Sequence, residues 1–355
     1  MTVRAAAYAE DVLAGHPDRI CDAVAERIVD HAVALDADAL VGVEVGIHRR
    51  SVFVTGRVAA AGLRGEGDLP LRGPDGIVAA ALGAAGYEGA WALDAQVVCD
   101  LDVGPLDGDE RAIRRYSDDQ NLVVGHACAA PGGVPVAVGT ARATRRLLAD
   151  LRGRHPGALG PDGKVLVGCD TVSGAVTLLN VSVQHCRGTG LPELYPLVAA
   201  EVAAPLGIDP ALLVVNGAGD FTCGGPHGDN GLSGKKLVVD HYGPGVPIGG
   251  GALCGKDPHK VDRVGALRAR QLALKLVGAC AGSRAATVTL GWLPGREVPD
   301  VVAAEVDGRC VDVLAAVPAD LRIAASSAAF DLAALEWAPL LRDGYFGDPR
   351  LPWER

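Results

Sequence analysis

The lysines of this chain are few, and their positions indicate where anion chemistry is concentrated. Only six of the 33 basic residues are lysine. Five of the six lie in three short glycine-containing segments: GPDGK ends at Lys164, LSGKK ends at Lys235 and Lys236, and GKDPHK carries Lys256 and Lys260. In a chain that otherwise uses arginine, lysine is expected where a compact ammonium group is needed. We therefore interpret the three segments as parts of a polyanion site, with chance clustering on a solvated surface as the alternative.

The segment from Gly250 to Lys256 matches the pattern G-x-x-x-x-G-K, in which backbone N–H groups surround a phosphate and the lysine reaches its outer oxygens. The next residue is Asp257, where such loops need Ser or Thr to hold magnesium, and no strand-then-helix context is evident. The pattern therefore does not predict a true phosphate-binding loop. The mixture of Lys256, Lys260 and Asp262 still suits a polyphosphate, because lysines contact its oxygens directly while a carboxylate holds the bridging divalent metal.

Three further places carry polar groups in a context that suggests binding. GHPD (residues 15–18) stands where a helix begins, and helix N-termini attract anions, so His16 and Asp18 are candidates, with a purely structural histidine as the alternative. Glu44 is the single acid in the apolar run VGVEVG, so it either faces solvent at a sheet edge or binds a cation. Asp119 and Asp229 add acidic side chains in loops.

The spacing of apolar residues along the chain predicts the helices and strands that hold these residues. The predicted helices cover 18–35, 76–86, 140–152, 192–207 and 261–281. The predicted strands cover 39–58 (two strands), 95–101, 120–129, 134–140, 164–185 (a hairpin) and 212–216. Residues 102–118 are acidic and irregular, and 217–260 predict an ordered functional loop region, since long structureless loops are rare in compact domains. Sheet and helix segments alternate in three units of about 100 residues, which indicates an α+β fold.

Composition narrows the class of protein. A chain with 49% hydrophobic and 21% charged residues is globular, and a net charge of −10 argues against sequence-independent nucleic-acid binding. No apolar run reaches the roughly 18 residues of a membrane span, and the N-terminus lacks a signal-peptide pattern. We therefore expect a soluble cytoplasmic protein. The nine cysteines include no CxxC pair, so neither a zinc site nor a disulfide framework is predicted.

Seven stretches of the chain together resemble one family. They are GHPDRICD (15–22), DDQNLVVGHA (118–127), GPDGK (160–164), VSVQH (181–185), GGPHGDNGLSGKKLVVDHYG (224–243), GGGALCGKDPHKVDR (249–263) and GYFGDPRLPWE (344–354). These stretches resemble the S-adenosylmethionine synthetases, also called methionine adenosyltransferases. The two glycine-rich strings are long and specific, and the resemblance runs from about residue 8 to the end of the chain.

The resemblance implies a fold of three intertwined α+β domains related by a pseudo-threefold axis, here with approximate ranges 1–103, 104–221 and 222–355. It implies a homodimer with active sites between the subunits, which can pair into a tetramer, and Mg²⁺ and K⁺ as cofactors. In the implied reaction the sulfur of methionine attacks C5′ of ATP, and the released triphosphate is hydrolysed to pyrophosphate and phosphate. The implied partners are ATP and methionine or a related acceptor, with neither nucleic acid nor a membrane.

The same resemblance assigns roles to residues at matching positions. His16 would hydrogen-bond the leaving oxygen, Asp18 and Asp262 would hold Mg²⁺, and Glu44 would hold K⁺. The lysines that would grip the phosphates are Lys164, Lys235, Lys236, Lys256 and Lys260, the last also near the carboxylate of the amino acid. Phe221 would stack on adenine, and contacts to nucleoside or amino acid would come from Asp119, Asp162 and Asp229.

The chain departs from the family pattern mainly where the amino acid would bind. Arg57 stands where the family has the glutamate that receives the ammonium of methionine, and GPLDGDERAI (104–113) lacks the family's methionine-contacting glutamine. Other departures are Arg19 for lysine, Asn121 for glycine, Asp220 for arginine and Leu253 for phenylalanine.

Two hypotheses therefore stand beside a true synthetase. One is a homologue that uses ATP with an acceptor that offers no ammonium at Arg57, and the other is a non-catalytic nucleotide-binding homologue. If methionine is the acceptor, we expect Asp107 or Asp109 to pair with Arg57 or to take over the ammonium.

Overall fold

The structure is a computed structural model that describes residues 6–355, so the first five residues, with which the predicted N-terminal domain begins, lie outside the described range. Its strands in chain order are β1 (Ala6–Val12), β2 (Leu40–His48), β3 (Ser51–Ala59), β4 (Gln96–Gly104), β5 (Asn121–Cys128), β6 (Leu159–Asp170), β7 (Val176–His185), β8 (Leu213–Val215), β9 (Asn230–Leu232), β10 (Ala285–Trp292), β11 (Val301–Val306) and β12 (Arg309–Cys310). Its helices are α1 (Pro17–Leu35), α2 (Pro74–Ala85), α3 (Gly108–Ile113), α4 (Val136–Arg154), α5 (Leu191–Val198), α6 (Leu237–Asp240), α7 (Val261–Ala279), α8 (Val313–Ala316), α9 (Ile323–Phe330) and α10 (Trp337–Asp343).

The strands of the described range form three four-stranded sheets, with the orders β1-β6-β7-β8, β4-β3-β2-β9 and β12-β11-β10-β5. One helix of 19 residues packs on each sheet: α4 on the first, α1 on the second and α7 on the third. Each sheet draws strands from distant parts of the chain. This repeated unit of one long helix on one sheet confirms the predicted α+β fold of three intertwined units.

Most predicted elements are confirmed, and two are wrong. Residues 134–140 look like a strand because valines alternate there, but Pro135 caps the start of α4, whose buried face includes Ala137, Val138 and Ala141. Residues 102–118 are more regular than predicted. In that stretch β4 continues to Gly104, and α3 begins with a capping box.

The region 217–260 is an ordered loop, as predicted, and α1 and β2 hold it in place. The backbone N–H of Gly234 and the thiol of Cys254 both donate to Asp22 Oδ1, at 2.9 Å and 3.0 Å. Farther along, Asp257 is fully buried, pairs with Arg114 and accepts a 2.8 Å hydrogen bond from Val41 N. These contacts fix both glycine-rich strings against the second sheet.

The C-terminal segment covers the start of α7. Arg263 is fully buried, donates to Glu26 and to Leu253 O, and lies 3.9 Å from the ring centroid of Trp337. Trp353 stacks on Trp337 at 6.2 Å. The aromatic end of the chain therefore supports the segment that carries Lys256 and Lys260. Within residues 6–355, no helix is both long and apolar enough to cross a membrane.

Candidate functional site

The start of α1 brings His16 and Asp18 together in a buried position. His16 is the N-cap of the helix, and its Nδ1 accepts a 3.2 Å hydrogen bond from Asp18 N, so the ring proton resides on Nε2. Nε2 is buried and has no hydrogen-bond partner among residues 6–355. Burial, with the nearby charge of Lys236, lowers the pKa of His16 to about 3. The imidazole is therefore a neutral donor whose N–H is available to a ligand.

Lysines and backbone donors surround Asp18. Its Oδ2 accepts a 2.6 Å hydrogen bond from Lys236, its Oδ1 accepts one of 3.0 Å from Leu232 N, and Lys235 Nζ lies 3.9 Å from Oδ1. Burial raises the pKa of Asp18, but the hydrogen bonds from Lys236 and Leu232 outweigh it, so the pKa lies below its ordinary value. Asp18 is therefore ionised at neutral pH and can act as a hard oxygen ligand.

Strand β6 adjoins this cluster, because the backbone N–H of Leu13, just before His16, donates to Gly163 O between Asp162 and Lys164. Asp162 accepts a 2.8 Å hydrogen bond from Gly225 N on Oδ2, while its Oδ1 is buried without a partner in the described chain. Burial raises the pKa of Asp162, and Lys164 on β6 and Asp229 lie close enough to influence it in opposite directions. Phe221 is half-buried, and its backbone N–H donates to His185 Nε2 at 3.0 Å.

The segments 118–121 and 249–263 form a second cluster. Lys260 pairs with Asp118, next to the exposed Asp119. Burial raises the pKa of Asp262, which the charges of Lys256 and Lys260 and a hydrogen bond from Asn121 partly offset. A Cβ added to Gly251 would lie 1.9 Å from Asp262 Oδ1, so any side chain there would displace the carboxylate of Asp262. The loop ending in Lys256 is not flanked by a strand and a helix as a phosphate-binding loop requires, in agreement with the sequence analysis.

The two clusters meet β2 at different positions. Leu232, whose N–H binds Asp18, pairs with Gly46, and Lys256 forms a bridge with Gly42 on the same edge of β2. Four residues of extended strand span about 13 Å. The first cluster consists of His16, Asp18, Asp162, Lys164, Phe221, Asp229, Lys235 and Lys236, and the second of Asp119, Lys256, Lys260 and Asp262. Within the described chain no set of three metal-binding side chains converges, either inside one cluster or between the two.

Glu44 and Arg57 lie on the sheet face between and beside these clusters. Glu44 is exposed and accepts a 2.7 Å hydrogen bond from Ser233 Oγ. Arg57 binds both oxygens of Glu110, at 2.8 Å and 3.0 Å, and also contacts Asp102 at 3.2 Å. The expectation that Asp107 or Asp109 would pair with Arg57 is wrong, because Asp107 caps α3 and thereby turns Glu110 toward the strand.

Sequence reasoning missed four residues that shape the site: Glu110, Arg114, Gln184 and Ser233. Arg114 is the buried partner of Asp257, and Gln184 Oε1 accepts a 3.3 Å hydrogen bond from Asp162 N. Each of the four contacts a residue that is distant in sequence, and such contacts cannot be predicted from local spacing. Glu110 is the partial exception, since the spacing of Asp107 and Glu110 is that of a capping box.

Comparisons with known proteins point to one family. Residues 5–90 match a model described as the S-adenosylmethionine synthetase N-terminal domain, and residues 223–355 match the C-terminal domain of the same family. The S-adenosylmethionine synthase of Corynebacterium kroppenstedtii is 32% identical over 98% of this chain and 95% of its own length. That of Nocardia farcinica is 33% identical over 97% and 94%. A solved structure, described as an unusual S-adenosylmethionine synthetase from Campylobacter jejuni, superposes with a TM-score of 0.87 at 26% identity, over 99% of this chain and 96% of that one.

Proposed function

The chain belongs to the S-adenosylmethionine synthetase family, and from this premise we propose that it transfers the adenosyl group of ATP to a thioether sulfur, with methionine as the first candidate acceptor. In this reaction a sulfur lone pair forms a bond to C5′ while the C5′–O bond breaks. The electron pair leaves with the oxygen of triphosphate, and a sulfonium ion remains. No protein nucleophile is needed, so the protein must align the reactants and stabilise the negative charge that develops on the leaving group.

The observation that carries this proposal is the unpartnered Nε2–H of His16. It is a neutral donor in a buried position beside the cations Lys236 and Lys164. A neutral N–H can hydrogen-bond the oxygen that leaves C5′ and strengthen that bond as charge accumulates, without transferring a proton. This arrangement fits a leaving polyphosphate better than it fits a substrate that must be protonated.

The other lysines extend the same electrostatic role along the phosphates. Lys164, Lys235 and Lys236 would bind phosphate oxygens from the first cluster, and Lys256 and Lys260 from the second. The donor set also fits Mg²⁺, since Asp18 and Asp262 supply hard carboxylate oxygens, and when bound Mg²⁺ neutralises charge on the triphosphate. Glu44 and the hydroxyl of Ser233 would supply oxygens to K⁺. Asp162, Asp229 and Phe221 would contact the nucleoside, and Asp119 the amino acid.

A second copy of the chain would complete the site. Within the described chain no three metal-binding side chains converge, and the two clusters meet β2 four residues apart, a span of about 13 Å of strand. The sheet face that bears Glu44 also exposes Phe53, Val98 and Leu232, with relative exposures of 46%, 57% and 50%. A two-fold dimer that buries this apolar face would bring the first cluster of one chain to the second cluster of its partner. A tetramer is compatible with this arrangement and not required by it.

The acceptor is the open part of the proposal, because Arg57 stands in place of the ammonium-binding glutamate. Its charge is balanced by Glu110 and Asp102, which weakens the repulsion that a free guanidinium would exert on an ammonium. An acceptor without an ammonium at this point remains the alternative, and Arg57 is the observation that favours it. A non-catalytic nucleotide-binding role is disfavoured by the complete set of phosphate lysines and acids.

The test is product analysis. The enzyme is incubated with ATP, Mg²⁺ and K⁺, with methionine or with thioethers that lack its amino group, and products are followed by mass spectrometry. We expect an adenosyl sulfonium product together with pyrophosphate and phosphate. The preferred thioether distinguishes the two acceptor hypotheses. ATP that binds but yields no adenosyl product with any thioether would contradict the proposal.

A further inference from the structure

A half-open cavity lies against the face of α1 that carries Arg19, Ala23 and Arg27. It has a volume of about 290 Å³ and is lined by residues of β1, α1, α2, α4, α6 and the segment 338–344. None of the residues predicted for the reaction lines it. Small side chains on facing helices, among them Ala23, Ala81 and Ala85, leave the space open and make much of its wall apolar. The volume is at the lower end of the range of small-molecule sites.

Arginines outnumber aspartates among the charged residues that line this cavity. Of the described residues that line it, five are arginine and three are aspartate. The three aspartates each have an arginine: Asp11 with Arg145 at 2.8 Å, Asp240 with Arg19 at 2.6 Å, and Asp343 with Arg342 at 3.4 Å. Two cations, Arg27 and Arg142, therefore remain without a carboxylate of their own.

Arg142 is nine-tenths buried, and its hydrogen bonds go to backbone carbonyls. It donates to Phe346 O at 2.5 Å, His241 O at 2.9 Å and Asp240 O at 3.4 Å. Burial lowers the pKa of Arg142, although Asp11 and Asp240 are near enough to oppose the shift. Arg142 therefore has no carboxylate as a hydrogen-bond partner, and only the more distant charges of Asp11 and Asp240 offset its own.

Arg27 is the stronger indication of a ligand. Within residues 6–355 its side chain makes neither a hydrogen bond nor an ion pair, and its Nε is buried without a partner. A guanidinium presents its donors as a planar fork that matches a carboxylate or a phosphate, so an unpaired one on a cavity wall is suited to such a group. A neighbouring apolar wall suits a hydrocarbon or aromatic body attached to that group.

From these observations we propose that the cavity between α1, α2 and α4 is a binding site for a small amphipathic anion, with its carboxylate or phosphate at Arg27 and Arg142 and its apolar body against the alanines of α1 and α2. The site is separate from the ATP site. Its existence does not depend on which acceptor the enzyme uses.

The experiment measures binding of octanoate and of phenyl phosphate to the full chain by isothermal titration calorimetry, with inorganic phosphate and octanol as probes of the head group alone and of the apolar body alone. We expect one site per chain for at least one amphipathic anion and much weaker binding of inorganic phosphate and octanol. The preferred head group distinguishes a carboxylate ligand from a phosphate ester. Saturating ATP should leave this binding unchanged.

Two variants locate the site. Arg27→Gln removes the unpaired charge and loses no hydrogen bond or ion pair of the described chain, and Ala84→Phe fills the rim of the cavity from an exposed position of α2. Each should weaken binding by at least about tenfold, the scale of one charge-assisted hydrogen bond or one blocked subsite. Arg146→Gln, an exposed arginine of α4 outside the cavity, is the matched control and should change affinity less than about twofold. Absence of binding, binding displaced by ATP, or equal affinity in all three variants would overturn the proposal.

Discussion

Arg57 on β3 and Glu110 on α3 form a two-bonded ion pair, with Arg57 Nε and one terminal nitrogen 2.8 Å and 3.0 Å from the two carboxylate oxygens. Hydrogen bonding and charge from Arg57 hold the pKa of Glu110 below its ordinary value. The pair fastens the start of the 105–120 segment to β3, an inner strand of the second sheet. We expect it to determine how that segment approaches an acceptor.

The first prediction measures this pair. Both side chains are about a quarter exposed, so solvent screens the pair, and a double-mutant cycle of Arg57→Ala and Glu110→Ala should give a coupling of about 1 kcal/mol in urea unfolding. Arg57→Glu alone should increase proteolysis within residues 104–114, because it places three acids together, and adding Glu110→Arg should restore protection. Additive single-variant effects with unchanged proteolysis would show that the pair does not hold the segment.

The second prediction concerns the phosphate lysines. Lys236→Ala and Lys256→Ala should each lower turnover by at least about 100-fold, the scale of one lost preorganised electrostatic contact. Lys275→Ala, an exposed lysine of α7 away from both clusters, is the control and should retain turnover within about threefold. Circular dichroism of the three variants should coincide. If either Lys236→Ala or Lys256→Ala kept turnover near that of the wild type, the substituted lysine would not belong to the active site.

The third prediction tests whether each site uses two chains. Lys236→Ala and Lys256→Ala carry their lesions in different clusters, so a mixed dimer has one site with both lesions and one site with none. After denaturation and co-refolding in equal amounts, we expect about a quarter of wild-type activity, since half of the dimers are mixed and half of their sites are intact. Activity no greater than that of the separate variants would mean that one chain supplies both clusters of a site.

The fourth prediction concerns cations. Asp18→Asn and Asp262→Asn should each raise the Mg²⁺ concentration needed for half-maximal activity at least about tenfold, because each removes an anionic oxygen ligand. Glu44→Gln is the comparison: it should weaken activation by K⁺ and leave the Mg²⁺ titration unchanged. Identical Mg²⁺ curves for wild type and both Asp variants would refute the assignment.

The fifth prediction follows from the lowered pKa of His16. Between its ordinary value of 6.5 and the folded value of about 3, the unfolded chain binds a proton at this residue that the folded chain does not. This difference lowers the free energy of unfolding as the pH falls through that window. His16→Asn keeps a good helix N-cap and cannot be protonated, so its stability should fall less than that of the wild type between about pH 7 and pH 4.5. Urea denaturation at both pH values measures the free energy of unfolding of each protein. An equal loss of stability in wild type and variant would mean that the pKa of folded His16 is near its ordinary value.

The sequence by itself determined most helices and strands and the charged residues that stand at the starts of the two helices α1 and α7. Helical periodicity predicts the bounds of α1 and α7 to within a few residues, and the GHPD and GKDPHK segments mark the two regions for which anion binding is proposed. These features are local, because a helix start or a glycine-rich turn is encoded within a few neighbouring residues. The strand predicted at 134–140 failed at this same local level, since alternating valines beside a proline suit a helix start as well as a strand.

Only the tertiary structure decided which of these residues meet. The pairing of Arg57 with Glu110 spans 53 residues, that of Asp257 with Arg114 spans 143, and Leu232 reaches Asp18 across 214. The positions at which the two lysine clusters meet β2 follow from the pairing register of that strand, which no spacing within either motif contains. The sequence of α1 also does not show that Arg27 is unpaired. Whether Arg27 finds a partner depends on the side chains of all the elements packed around it. Local pattern therefore specifies what each segment can bind, and long-range packing decides which segments act together.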